Sequence, residues 1–338
     1  MDKLTVAGID ISHNSLKAVI LKPAKEGYSL LGYKEIVLND AIVAENHTIN
    51  HQEIVKTLKE IKKELPLLHR KAAASIPDSA VISKSLQLDS QLEESEVEFA
   101  IMQAFSLQSP FPIEELSLDF VPNCDSKGNE VAGFRVFATR KEVVESRKQA
   151  IEKAGLTPIL LDVHSHSQGA IWQLATERHP EKAQYCLLYV GERNCSISMF
   201  TAQGEFFYKE FSSGLEQVIN NFQTSLEENA SEQEKVERFN HETADRVKRQ
   251  LQLYSSMNGE RDIRGIWLVG EGASTLMLAE TLERQLQLDC ELLNPFSLFE
   301  MKVPKRKRRN VDWQRFVTAA GIAIRAIDWQ RGSHVASR

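Results

Sequence analysis

Residues 4–20, Leu-Thr-Val-Ala-Gly-Ile-Asp-Ile-Ser-His-Asn-Ser-Leu-Lys-Ala-Val-Ile, constrain the fold more than any other segment. They read as a strand ending at Gly8–Ile11, a polar turn at Ser12, His13, Asn14 and Ser15, and a returning strand from Leu16 with Lys17 at its start. Such a turn gathers backbone N–H groups and small hydroxyls at one point, which suits a phosphate. Asp10 at its lip is placed to hold a metal ion through water. A lone segment of this kind is also an ordinary hairpin, so its meaning depends on counterparts further along.

Two counterparts exist. Leu188–Ser196 is another strand–turn–strand, with Gly191, Glu192, Arg193, Asn194 and Cys195 in and after its turn. Ile266–Ala273 is a strand ending in a glycine turn, Gly270-Glu271-Gly272-Ala273, before an expected helix. Strand-like runs at 4–11, 15–22 and 28–37 open the first half, and runs at 185–190, 195–201 and 205–211 open the second. Helical spacing follows at 51–64, and in the second half near Gly214 and over 231–256, with a last amphipathic helix over 312–327. Two halves of one plan predict an internal duplication with a cleft between them.

Between the halves the texture changes. A short strand at 85–88, a helix at 93–107, strands at 117–121 and 131–139 joined by an Asn123–Asn129 turn, and a helix at 141–154 make a small α+β module. Strand 157–163 and a helix at 166–178 then return to the main body. The predicted division is 1–84 with 156–184, the inserted module 85–155, a second half 185–330 and a tail 331–338.

Bulk properties exclude several classes. The chain has 338 residues, a length that fits about two domains. Its net charge of −6 gives no overall basic field for nucleic acid. Cys124, Cys186, Cys195 and Cys290 are scattered with no Cys-x-x-Cys, so neither a zinc site nor a disulfide framework is expected. No secretory signal pattern and no apolar run of bilayer length is found, and a cytosolic protein is expected.

Two facing hairpins and a glycine turn resemble the actin/Hsp70/hexokinase ATPase fold, a duplicated ribonuclease H-like α/β architecture. The inserted module resembles that of the cell-division protein FtsA and of the type IV pilus assembly protein PilM family. The PilM resemblance extends over nearly the whole chain, through Gln-Ser-Pro-Phe-Pro-Ile-Glu-Glu-Leu-Ser-Leu-Asp-Phe (108–120), Ala-Gly-Leu-Thr-Pro-Ile-Leu-Leu-Asp-Val (154–163) and Ala-Ala-Gly-Ile-Ala-Ile-Arg (319–325). It implies ATP and Mg in the cleft, with Asp10 and Ser12–Lys17 as one phosphate loop and Gly191–Cys195 as the other. Gly270–Ala273 would then contact adenosine, and Asp245 and Lys248 the ribose and base. Without the resemblance, Asp245 and Lys248 read as an i,i+3 pair on a solvated helix face.

The departures from that pattern predict weak chemistry. Ser12 stands where the first loop usually has glycine, Tyr189 where the second loop usually has an Asp, and Glu271 between glycines that are usually adjacent. A carboxylate at Glu271 costs nucleotide affinity unless it points away. His164 is the nearest candidate for orienting an attacking water, so hydrolysis is expected to be slow or absent.

The resemblance also implies a groove between the inserted module and the first half, bordered by residues 76–88, that holds the short cytoplasmic N-terminus of the membrane protein PilN. A cytoplasmic scaffold of the pilus inner-membrane complex follows, with the motor ATPase and the platform protein as further partners and no nucleic acid. The alternatives are a small-molecule kinase of the same superfamily and an FtsA-like polymerising protein. Phe99, Phe105, Phe111 and Phe120 are expected to form the module's own core. The run Lys-Val-Pro-Lys-Arg-Lys-Arg-Arg at 302–309 reads as a solvated loop, or more sharply as a contact for anionic lipid. His164 and His166 alternate around Ser165 and so point apart.

Overall fold

The computed structural model describes residues 4–38, 42–44, 46–64, 70–122, 131–201, 204–213, 231–258 and 262–332. The Asn123–Asn129 turn, Cys124 and the helix expected near Gly214 lie outside the described residues.

The first half is a sheet of β1 (Val6–Ile11), β2 (Ser15–Pro23), β3 (Tyr28–Val37), β4 (Lys71–Ile76), β8 (Thr157–Val163) and β14 (Glu300–Met301), in the order β14-β3-β2-β1-β4-β8. β1 to β3 are antiparallel, and β4 and β8 add in parallel. The second sheet joins β9 (Tyr185–Val190), β10 (Asn194–Phe200), β11 (Phe206–Ser212), β12 (Gly265–Val269) and β13 (Asp289–Leu292), in the order β11-β10-β9-β12-β13. Its senses repeat the first: three antiparallel strands, then two parallel additions. Strand for strand, β3-β2-β1-β4-β8 and β11-β10-β9-β12-β13 are the same plan, and the duplication seen as pattern is a duplication of topology.

Period-2 alternation sorts β1 into two faces. Ala7, Ile9 and Ile11 pack with Ile54, Leu58 and Ile61 of α1 (His51–Lys62) and with Ala150 and Ile151 of α3 (Lys141–Lys153). Gly8 and Asp10 face the other way, towards α4 (His164–Arg178) and α7 (Val317–Gln330). On the second sheet, α5 (Glu232–Asn258) contributes Phe239, Ala244, Val247 and Tyr254 to the core, and α6 (Leu278–Leu286) contributes Leu278 and Leu282.

The C-terminal helix α7 is not amphipathic. Every residue from Val317 to Ile324 is buried, as are Ala326 and Ile327. It is covered by β1, β2 and β4 on one side and α4 on another, and a helix enclosed on several sides is apolar all round. Together with β14, it lies on the first sheet although its sequence position places it in the second half.

The inserted segment forms its own sheet, β5 (Val81–Asp89), β6 (Leu116–Pro122) and β7 (Val131–Arg140) in the order β5-β7-β6, with α2 (Glu94–Ser106) laid on it. Its core holds Leu86, Ile101, Phe105, Leu116, Phe134 and Val136. Phe120 packs edge-on against Phe134 at 5.9 Å. Phe99 and Phe111 depart from the expected core. Phe99 is 67% exposed, and Phe111 lies under the Arg140 guanidinium at 5.8 Å, still 39% exposed. The buried stripe of α2 runs through Val97, Ile101, Ala104 and Phe105, and Phe99 falls on the opposite face at 100° per residue.

Candidate functional site

The β1–β2 register sets Asp10 opposite Lys17, which puts both side chains on one face at the mouth of the first turn. Both are buried. Asp10 accepts from Ser12 Oγ and from Ser75 Oγ, each at 3.2 Å, and Ser75 comes from the end of β4. His164, the first residue of α4, brings Nε2 to 3.6 Å from Asp10 Oδ1. His166 turns away and holds Asp162 at 2.7 Å, so the two histidines do point apart.

The opposite wall is built on the topological equivalents. Tyr189 sits on β9 where Asp10 sits on β1, and Glu271 follows β12 as Asp78 follows β4, two residues past the strand in each case. Gly270 has φ +98°, and a Cβ there would lie 2.5 Å from the Val190 carbonyl oxygen, so only glycine lets this turn close onto β9. The turn delivers Glu271 into the cleft. Lys17 Nζ donates to Glu271 Oε1 at 2.5 Å and to Ser12 Oγ at 2.9 Å, with Asp10 Oδ2 at 3.6 Å. Tyr189 Oη donates to the other Glu271 oxygen at 2.7 Å. At the rim, Arg193 Nη2 of the second turn meets His13 Nε2 of the first at 2.6 Å.

Electrostatics favour the charged pair. Burial works against the Lys17 ammonium, but Glu271 and Asp10 outweigh it and hold its pKa above the usual lysine range. Burial likewise opposes the Glu271 carboxylate, and Lys17 with the Tyr189 hydroxyl hold its pKa below the usual range. Burial, then the neighbouring Glu271 and Asp10 charges, push the Tyr189 phenol far up, so it remains a donor.

The remaining predicted residues divide. Asn194 donates to Glu210 at 2.5 Å, beside the second turn. Cys195 turns into the core, and its thiol donates to the Ser213 carbonyl at 2.8 Å. Asp245 and Lys248 are exposed on α5, the solvated face that the sequence alone suggests. Ser75 and Gln314 carry no motif: Ser75 reaches Asp10, and the Gln314 carbonyl accepts from Gly270 N at 3.0 Å. A lone serine ending an alanine-rich strand was a faint signal, and Gln314 gave none.

ATP with Mg requires Lys17 to face phosphate oxygens and turn N–H groups to be available. Here Lys17 bonds to Glu271 and Ser12. The N–H groups of Ser12, Gly191, Gly270 and Gly272 donate to Ser15, Asn194, Gln314 and Val190. In this arrangement a phosphate has to displace Glu271 from Lys17. Among the described residues, no group of three or more His, Cys, Asp or Glu side chains is placed to hold a metal directly.

A model of the type IV pilus assembly protein PilM family matches residues 8–327. The chain belongs to the PilM family. A solved PilM–PilN type IV pilus biogenesis complex is similar over 96% of this chain and 99% of that chain, at 20% identity and a TM-score of 0.76. The diol dehydratase-reactivating factor in nucleotide-free form matches over 97% and 100%, at 8% identity and TM-score 0.56. The ethanolamine utilization protein EutJ from Carboxydothermus hydrogenoformans matches over 96% and 90%, at 13% identity and TM-score 0.50. These neighbours share the actin-like ATPase fold with this PilM-family chain. Among the described residues no helix is long and apolar enough to cross a membrane.

Proposed function

We propose that this chain is a scaffold of a type IV pilus inner-membrane assembly complex, working at the cytoplasmic face. It captures the N-terminal tail of a PilN-type membrane protein in a groove between the inserted module and the first half. The family match over residues 8–327 carries this reading. The module adds physical support. β5 is an edge strand that pairs only with β7 among the described strands, and it carries residues 81–88 of the 76–88 segment expected to border the groove. Residues Ser83, Lys84 and Ser85 on it are exposed. An open edge can accept an extended peptide as an added strand, with backbone hydrogen bonds for affinity. The motor ATPase and the platform protein belong to the same proposal as further partners. The kinase alternative needs a lysine turned to phosphate, and the Lys17–Glu271 pair weighs against it.

A pulldown with a synthetic PilN N-terminal peptide, with and without ATP–Mg, tests the reading. Capture under at least one condition is expected, and a photo-crosslinker at Lys84 should join the peptide. No capture under either condition rejects the scaffold role.

A further inference from the structure

We propose that Glu271 is a built-in competitor for nucleotide, bonding to Lys17 where a phosphate would and clasping the two halves without a ligand. Lys17 is the cation buried at the centre of the cleft, and its side chain is 0% exposed. Its shortest bond is to Glu271, on the opposite wall and 254 positions away. The carboxylate is itself anchored from that wall, because its second oxygen accepts from Tyr189. Both Glu271 oxygens are therefore engaged, one from each half.

An entering phosphate has to break the Lys17–Glu271 bond. It then lies beside two carboxylates, Asp10 and Glu271, which already share the single Lys17 ammonium. Like charges a few ångströms apart in a partly desolvated site repel strongly. The N–H groups of Gly191, Gly270 and Gly272 already have carbonyl partners and so offer no compensation. The Arg193–His13 contact closes the rim above. The clasp is thus made of the same elements that would grip a nucleotide, turned on one another.

The experiment titrates the full chain with a fluorescent ATP analogue and Mg, read by anisotropy. Glu271→Gln keeps the shape and removes the charge, and it should bind at least about tenfold tighter than the parent chain. Tyr189→Phe removes only the hydroxyl that anchors Glu271, and it should give a smaller gain of about threefold. Lys17→Met added to Glu271→Gln should abolish the gain. A folded Glu271→Gln protein that binds no tighter than the parent overturns the proposal. If Glu271→Gln does not fold, Tyr189→Phe decides, and no gain there overturns it. Peptide capture is measured in parallel on the same proteins, and its loss bears on the scaffold reading alone.

Discussion

Lys17 and Glu271 are bonded at 2.5 Å across the cleft, one from the second strand of the chain and the other from the turn after β12. Removing one member of such a pair differs from removing both. Lys17→Met leaves Asp10 and Glu271 buried without their cation, at a cost of about 3–5 kcal/mol. Lys17→Met with Glu271→Met replaces the pair by apolar groups and should recover much of the loss. Urea denaturation of Lys17→Met, Glu271→Met and the double variant gives the coupling energy directly. Additive losses would show that the pair contributes nothing as a unit.

Gly321 sets the distance between α7 and α4. A Cβ at this position would lie 2.0 Å from the Ser167 carbonyl oxygen, and backbone cannot yield as a side-chain tip can. Gly321→Ala therefore forces two buried helices apart, with an expected cost of about 1–3 kcal/mol. The intrinsic helix preference for alanine works in the opposite direction by about 1 kcal/mol, so a net loss reports the packing term. A melting temperature equal to or above that of the parent would show that the interface relaxes without cost.

Much of the fold was legible because its signals are local. Alternation in β1 and β2, the Ile54–Leu58–Ile61 spacing of α1, and the glycine turn after β12 each lie within a dozen residues, and the structure keeps all of them. The topological repeat was legible for the same reason. What the sequence could not show was where distant side chains meet. Glu271 was a visible departure, but whether it points into the cleft depends on Lys17 and Tyr189 across a sheet-to-sheet contact. The burial of α7 depends on β1, β2, β4 and α4, which come from other parts of the chain. Phe99 looked like core because aromatic residues usually are, yet its helical angle to Ile101 already put it outside.

Asp162 makes a prediction for acid stability. Burial opposes its charge, but His166 and then Arg325, bonded at 2.7 and 2.8 Å, hold its pKa well below the usual carboxylate range. A depressed pKa in the folded state means that the unfolded chain binds the proton more readily. Its stabilisation is therefore complete above the unfolded value of about 3.9 and is lost as pH falls below it towards the folded value. Asp162→Asn should lower stability at pH 7 and flatten the acid limb between about pH 4 and pH 2. Chemical denaturation across that range measures both, and an unchanged acid slope would assign the acid sensitivity to other groups.

Cysteine labelling can report motion of the cleft wall. Burial pushes the thiols of Cys186 and Cys195 up to about 12, so at pH 8 both are held as thiols and little of the reactive thiolate forms. Both should resist alkylation in the native protein and react once it is unfolded in urea. They differ in position. Cys186 lies near the start of β9, deep in the second sheet, whereas Cys195 follows the turn whose Arg193 meets His13. Breaking the clasp with Lys17→Met should therefore speed labelling of Cys195 more than that of Cys186, because local opening at the turn adds to global unfolding at the first and global unfolding alone exposes the second. Peptide mass spectrometry after timed alkylation separates the two sites. Equal acceleration at both would mean that the substitution loosens the whole half, and the clasp would then be a general stabiliser of the second sheet with no special hold on the cleft.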